Sequence, residues 1–145
     1  MNGGRGPAAV IVLLVLAACA GCATGALEPV ALEAGRDACA QCRMAFAATS
    51  TAVEVLAAGE EPLLFDDLEC FRQHAARHRL PPGARVVVTD HRTGAWVDGP
   101  SAVITRTRAA TPMGSGLLAH ATPASRDEDP AAAGGQPVSW RSLQP

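Results

Sequence analysis

From Ala38 onward the apolar positions come in short runs separated by turn residues. Ala52 to Ala57 alternates weakly and predicts a strand. Gly59-Glu60-Glu61-Pro62 predicts a turn, and Leu63-Leu64-Phe65 a short second strand. Leu68, Phe71 and Ala75 then recur at helical spacing, with the stem of Arg79 on the same side, so a helix is predicted over 68–79. Asp66 or Asp67 stands where its N-cap belongs, with acidic residues in the first turn and Arg residues in the last. Leu80-Pro81-Pro82-Gly83 stops the helix, and Arg85 to Thr89 reads as a buried strand. A second, weaker pass follows. Ala95-Trp96-Val97, Ala102-Val103-Ile104 and Leu117 to Ala121 read as strands, and Ser125 as the cap of a short helix limited by Pro130 and Gly134-Gly135. Val138-Ser139-Trp140 reads as a closing strand. Strand, strand, helix, strand, twice over, predicts a small α+β domain of two ββαβ-like units spanning 38–143.

The longest apolar run lies outside this rhythm. Ala8 to Ala18 is unbroken, preceded by Arg5 and the amino terminus, and is too short to span a bilayer comfortably. It closes with Leu16-Ala17-Ala18-Cys19, the pattern of a bacterial lipobox, in which small residues precede a cysteine that is lipidated. Residues 1–18 are therefore expected to be a lipoprotein signal peptide and 19–37 a lipidated tether anchored at Cys19. The chain would then be exported and held on a bacterial membrane facing the periplasm or the cell exterior. The alternative is a plain secretory signal cleaved at an A-x-A site. Five cysteines is an odd number for an exported chain. Assigning Cys19 to lipid leaves Cys22 in the tether and Cys39, Cys42 and Cys70 in the domain.

Composition narrows the function classes. Twelve basic against 14 acidic residues give a net charge of -2, which offers no electrostatic case for nucleic acid. Aromatics are only 3% of the chain, so the core must be built mainly from Ala, Val and Leu, and a bound metal would help to stabilise so small a core.

Three clusters carry candidate chemistry. Cys39-Ala40-Gln41-Cys42-Arg43-Met44 places two thiols at chelating or disulfide spacing. The thioether of Met44 contributes little to Zn²⁺ but suits Cu(I), unless it simply packs in the core. Pro112-Met113-Gly114-Ser115-Gly116 holds a second methionine on a tight loop, where Gly permits close backbone approach. Met113 is a thioether ligand or a side chain tucked over the core edge. Phe65-Asp66-Asp67-Leu68-Glu69-Cys70 runs into His74 and His78. Cys39, Cys42, Cys70 and His74 form an acceptable zinc set. The blander reading makes Cys70 a small buried hydrophobe, Asp66-Asp67 a helix cap and the two histidines part of a solvated, Arg-rich face. His91 and His120 stand alone, although His120 shortly follows the Met113 loop and is a candidate third ligand there; a lone His is more often structural or exposed.

In this order, the lipobox, C-x-x-C-R-M, F-D-D-L-E-C, V-T-D…A-W-V, P-M-G-S-G and the late G-G-x-x-V-S-W resemble the NosL family of lipoproteins accessory to nitrous oxide reductase, over about residues 38 to 143. The resemblance implies a copper chaperone without enzymatic turnover. It would carry Cu(I) for maturation of nitrous oxide reductase in denitrification and deliver it through a membrane ABC-transporter-type complex. It also implies a fold of two ββαβ units. By that likeness Cys42 and Met113 are metal ligands, with Met44 next and Cys39 after it. Two departures stand out: Arg43 replaces the Gly of many relatives, and Asp127-Glu128-Asp129-Pro130 interrupts the place of the second helix. Two other function classes compete. One is a thiol-disulfide oxidoreductase using Cys39 and Cys42; the other is a structural zinc-binding interaction module.

Overall fold

The computed structural model describes residues 27–144; the expected signal peptide and the expected lipidation site Cys19, with Cys22, lie outside them. Hydrophobic alternation and turn residues give the expected strands with small shifts at their ends. β1 (Val53–Leu56) and β2 (Leu63–Phe65) form a hairpin, followed by α1 (Leu68–Arg77), β3 (Arg85–Thr89) and β4 (Trp96–Asp98). β5 (Val103–Arg106), β6 (Leu117–His120), α2 (Pro123–Asp127) and β7 (Gln136–Val138) complete the chain, with a last 3₁₀ turn at Trp140–Leu143.

The fold is α+β with two antiparallel sheets, ordered β2-β1-β3-β4 and β6-β5-β7. In each unit the first strand is central, flanked by the second and third, so β1-β2-α1-β3 and β5-β6-α2-β7 repeat one topology. The spacing repeats as well. The N-cap follows the preceding strand by two residues in both units, Phe65 to Asp67 and His120 to Thr122. β4 departs from the expected pattern. It pairs with β3, Val97 opposite Val88, and so extends the first sheet instead of opening the second unit.

Asp67 caps α1 by accepting the Glu69 N–H at 2.7 Å, and Leu68, Cys70, Phe71 and Ala75 form its buried face. α2 is one short helix, capped by Thr122 and not by Ser125: Thr122 Oγ1 accepts the Ser125 N–H at 3.0 Å, with Pro123 at the first position. Pro at that position forgoes an N–H that would have had no helical partner. The closing strand lies two residues earlier than the sequence suggests. Trp140 belongs instead to the last turn, where its ring stacks on Phe71 at 5.7 Å between centroids.

Phe46, Val53, Val55, Phe65, Leu68, Phe71, Val86, Val88, Ile104, Leu117 and Leu143 share one core between the two units. The opposite face of the first sheet carries Glu54, which is fully buried. Its carboxylate accepts the Val30 N–H at 3.1 Å, and Arg85 Nη1 donates to the Leu27 carbonyl at 2.8 Å. Part of the segment expected as tether thus lies against β1 and β3. Among the described residues no helix is long and apolar enough to cross a membrane.

Candidate metal centre

The cysteine pair sits on a tight hairpin. Ala38 and Ala45 form an antiparallel bridge, the Cys39 N–H donates to the Met44 carbonyl at 2.9 Å, and the Arg43 N–H returns to the Cys39 carbonyl at 2.9 Å. Closing so short a loop forces Arg43 to φ 67°, the left-handed region that favours glycine. An Arg thus occupies backbone that a Gly would adopt without strain. The Ala40 N–H donates to the Leu64 carbonyl at 2.7 Å, which fastens the hairpin to the end of β2.

β2 and α1 bring the remaining groups. Asp66 follows β2 directly, and its carbonyl accepts the Thr51 hydroxyl at 2.7 Å. Its carboxylate oxygens lie 3.6 and 3.8 Å from Cys42 Sγ. Cys70, three residues after the cap, points from the first turn of α1 into the same space. Cys39, Cys42, Asp66 and Cys70 each offer one ligand atom, and all four atoms lie within 4.8 Å of one another. Three cysteines and an aspartate therefore form a cluster able to hold a metal ion.

Burial shapes its electrostatics. Cys39, Asp66 and Cys70 are buried, and Cys42 is half-buried at the edge. Burial pushes the Cys39 thiol up, while the N–H groups of Cys42, Asp66 and Gln41 aimed at its sulfur hold part of that rise back. Burial also pushes the Cys70 thiol up strongly, helped by its hydrogen bonds to Cys39 and Asp66. With no cation present these thiols keep their protons; an ion that binds them must displace protons, so its capture is linked to pH. All three cysteines are free.

The Met113 loop is tied to this centre by Asp67. Beyond capping α1, Asp67 accepts the Met113 N–H at 2.9 Å and the Ser115 hydroxyl at 2.7 Å. Gly114 and Gly116 both take positive φ, and a side chain on Gly116 would collide with the Thr107 carbonyl. The loop is therefore tight and fastened one residue from Asp66. The Met113 side chain is 37% exposed and that of Met44 49%, so neither is a core-packing methionine.

Of the residues singled out from sequence, Cys39 and Cys42 meet in the cluster; Met44 follows Cys42 by two residues on the same hairpin, and Met113 stands on the loop that Asp67 holds. Sequence reasoning placed Cys70 only within the alternative zinc set with Cys39, Cys42 and His74, and did not place Asp66 in the site at all. Asp66 read as an alternative helix cap, but the structure gives that role to Asp67 alone. Cys70 is buried, as expected of a small hydrophobe, yet its sulfur faces the other two thiols. Its spacing from the cap was the available signal, because the third helical position of a helix that starts beside the hairpin faces inward. His74 lies outside the cluster, with its ring 5.1 Å from that of Phe65 and 4.5 Å from that of His78. His120 lies apart too, grouped with His91 and Asp129. In comparisons with known proteins no family model matches the chain, and no curated protein or solved structure matches it.

Proposed function

We propose that the chain is a lipid-anchored, extracytoplasmic copper chaperone that takes up Cu(I) through cysteine and methionine sulfur and hands it on for maturation of a copper enzyme. The motif resemblance to the NosL family names nitrous oxide reductase as the client and a membrane ABC-transporter-type complex as the partner. The observation that carries the reading is the gathering of three thiols beside a loop that presents an exposed methionine. Thiolate and thioether sulfur select soft Cu(I). Cys42 at the half-buried edge and the thioethers outside it offer ligands that can be exchanged one at a time, which release to a partner requires.

The zinc module is the second reading. It is favoured by Asp66, whose oxygen would complete a tetrahedral Cys₃Asp set of the kind zinc accepts. The oxidoreductase reading is weaker, because reactive cysteines have lowered pKa values and burial raises those of Cys39 and Cys70.

The test is a competition titration with Cu(I) against a chromophoric chelator, anaerobic and under reducing conditions. It uses the full chain in detergent with Cys19→Ser and Cys22→Ser, so that only the domain thiols report. Tight uptake that Met113→Leu weakens supports the chaperone. Uptake indifferent to Met113, or a preference for Zn²⁺, moves the assignment to the zinc module.

A further inference from the structure

A second group of ligands gathers at the C-terminal end of β6, and it contains no sulfur. His91 follows β3, His120 is the last residue of β6, and Asp129 follows α2. His91 Nδ1 and His120 Nε2 both reach the same Asp129 oxygen, Oδ2, at 2.6 and 2.9 Å. The three ligand atoms lie within 4.8 Å of one another.

We propose that His91, His120 and Asp129 form a second metal site that takes a divalent first-row transition ion of the Zn²⁺ or Cu²⁺ kind. This assignment is independent of the copper reading of the cysteine centre. Two imidazoles and one carboxylate are a borderline-hard donor set, suited to such ions and poorly suited to Cu(I).

The surroundings hold the three groups in place. Asp129 Oδ1 accepts the Ala131 N–H at 2.9 Å, which leaves Oδ2 turned toward the imidazoles. The His91 N–H donates to the Ala119 carbonyl at 2.8 Å, fixing the His91 backbone beside β6. Asp90 locks the same corner: its carboxylate accepts the Arg92, Thr93 and Ala121 N–H groups and the Ser125 hydroxyl at 2.7–3.0 Å. The flanking cations are already paired, Arg92 with Glu128 at 3.1 Å and Arg126 with Asp127 at 2.6 Å.

The fit is close. Ligands about 2.0–2.2 Å from a tetrahedral ion stand roughly 3.4 Å apart, so each imidazole needs to part from Asp129 Oδ2 by less than about 1 Å. With no ion bound, His120 Nε2 donates to Asp129 Oδ2, while its Nδ1 has no hydrogen-bond partner in the protein. The ring proton can move to Nδ1 when Nε2 takes the ion. His120 is fully buried, whereas the His91 side chain is 23% exposed and gives the ion a way in from solvent. The carboxylate and one imidazole supply the interior ligands, and His91 closes the site from outside.

Co²⁺ distinguishes this site from the cysteine centre, because thiolate ligation adds a sulfur-to-metal charge-transfer absorption that imidazole and carboxylate ligation lacks. The full chain carrying Cys19→Ser and Cys22→Ser is titrated with Co²⁺ under reducing conditions, alone and with His91→Ala or Asp129→Asn. The expected result is two equivalents bound, one with the charge-transfer band and one without. Either substitution should weaken the band-free equivalent at least tenfold and leave the other unchanged, with circular dichroism confirming the fold. His91→Ala removes a partly exposed ring and leaves the His120–Asp129 bond in place, so a fold lost in Asp129→Asn leaves the test standing. Absence of any band-free equivalent, or a band-free equivalent that neither substitution weakens, overturns the proposal.

Discussion

The Cys39–Cys42–Asp66–Cys70 centre and the His91–His120–Asp129 group are built from opposite materials and assembled in opposite ways. The first is sulfur-rich, and two of its members come from one hairpin of neighbouring residues. The second is imidazole and carboxylate, drawn from three segments up to 38 residues apart in the chain. Each is steadied by an aspartate of the first unit that grips the second. Asp67 holds the Met113 loop and Asp90 holds the start of α2. Soft and harder ligands are thus gathered in separate groups that share no residue.

The largest effect that would sharpen this contrast is at the half-buried thiol. Cys42→Ser is expected to weaken Cu(I) binding by roughly 100-fold or more, since even supporting groups around a metal are worth 10–100-fold. Chelator competition measures it, and the sulfur-free Co²⁺ equivalent should not move. If both sites weaken together, they are not independent.

Next is the clamp. Asp67→Ala removes a helix cap and two bonds between the units, and is expected to destabilise the fold by about 2–3 kcal/mol. Urea unfolding reads the loss, and Asp67→Asn, which can still cap, should lose clearly less. Equal losses would mean that the tie to the Met113 loop, and not the cap, dominates.

Glu54 provides a control carboxylate outside both centres. Burial raises its pKa, and the Val30 N–H holds part of that rise back. The folded state therefore binds the proton more tightly than the unfolded state does. Its contribution to stability is fully present below the ordinary value of 4.5 and is lost as pH rises through the higher folded value. Glu54→Gln should flatten that fall in denaturation midpoints followed from pH 4 to 7, with metal binding unchanged. An unaltered pH profile would sink this account of Glu54.

The smallest expected effect is a gain. Arg43→Gly relieves left-handed backbone in the hairpin and should stabilise the fold by about 0.5–1 kcal/mol, read as a raised melting temperature. A loss would indicate that the Arg43 side chain contributes more than its backbone costs.

The repeat, the first helix and most strands could be read from the sequence, because strand and helix periodicities are local. β4 could not be assigned to its sheet, since alternation identifies a strand and not its neighbour. The hairpin cysteines stood out by spacing, Met44 by its place two residues after Cys42, and Met113 by its turn context. Asp66 was hidden behind Asp67, because either can cap a helix and only the fold shows which carboxylate turns inward. His120 was weighed only as a partner for Met113, and its grouping with His91 and Asp129 gave no local signal, because the pairing of β5 with β6 and the return of His91 to Ala119 bring them together.

The equal spacing of the two units has a consequence for how such a chain can change over evolution. Cys70 and Ser125 hold the same third helical position after their caps, and both are buried. One carries a thiol into a ligand cluster; the other carries a hydroxyl to Asp90. They differ by a single atom, sulfur for oxygen. A duplicated unit with matched sockets lets a reactive group be gained in one half while the other preserves the architecture, so chemistry can move across the repeat without redesign of the fold.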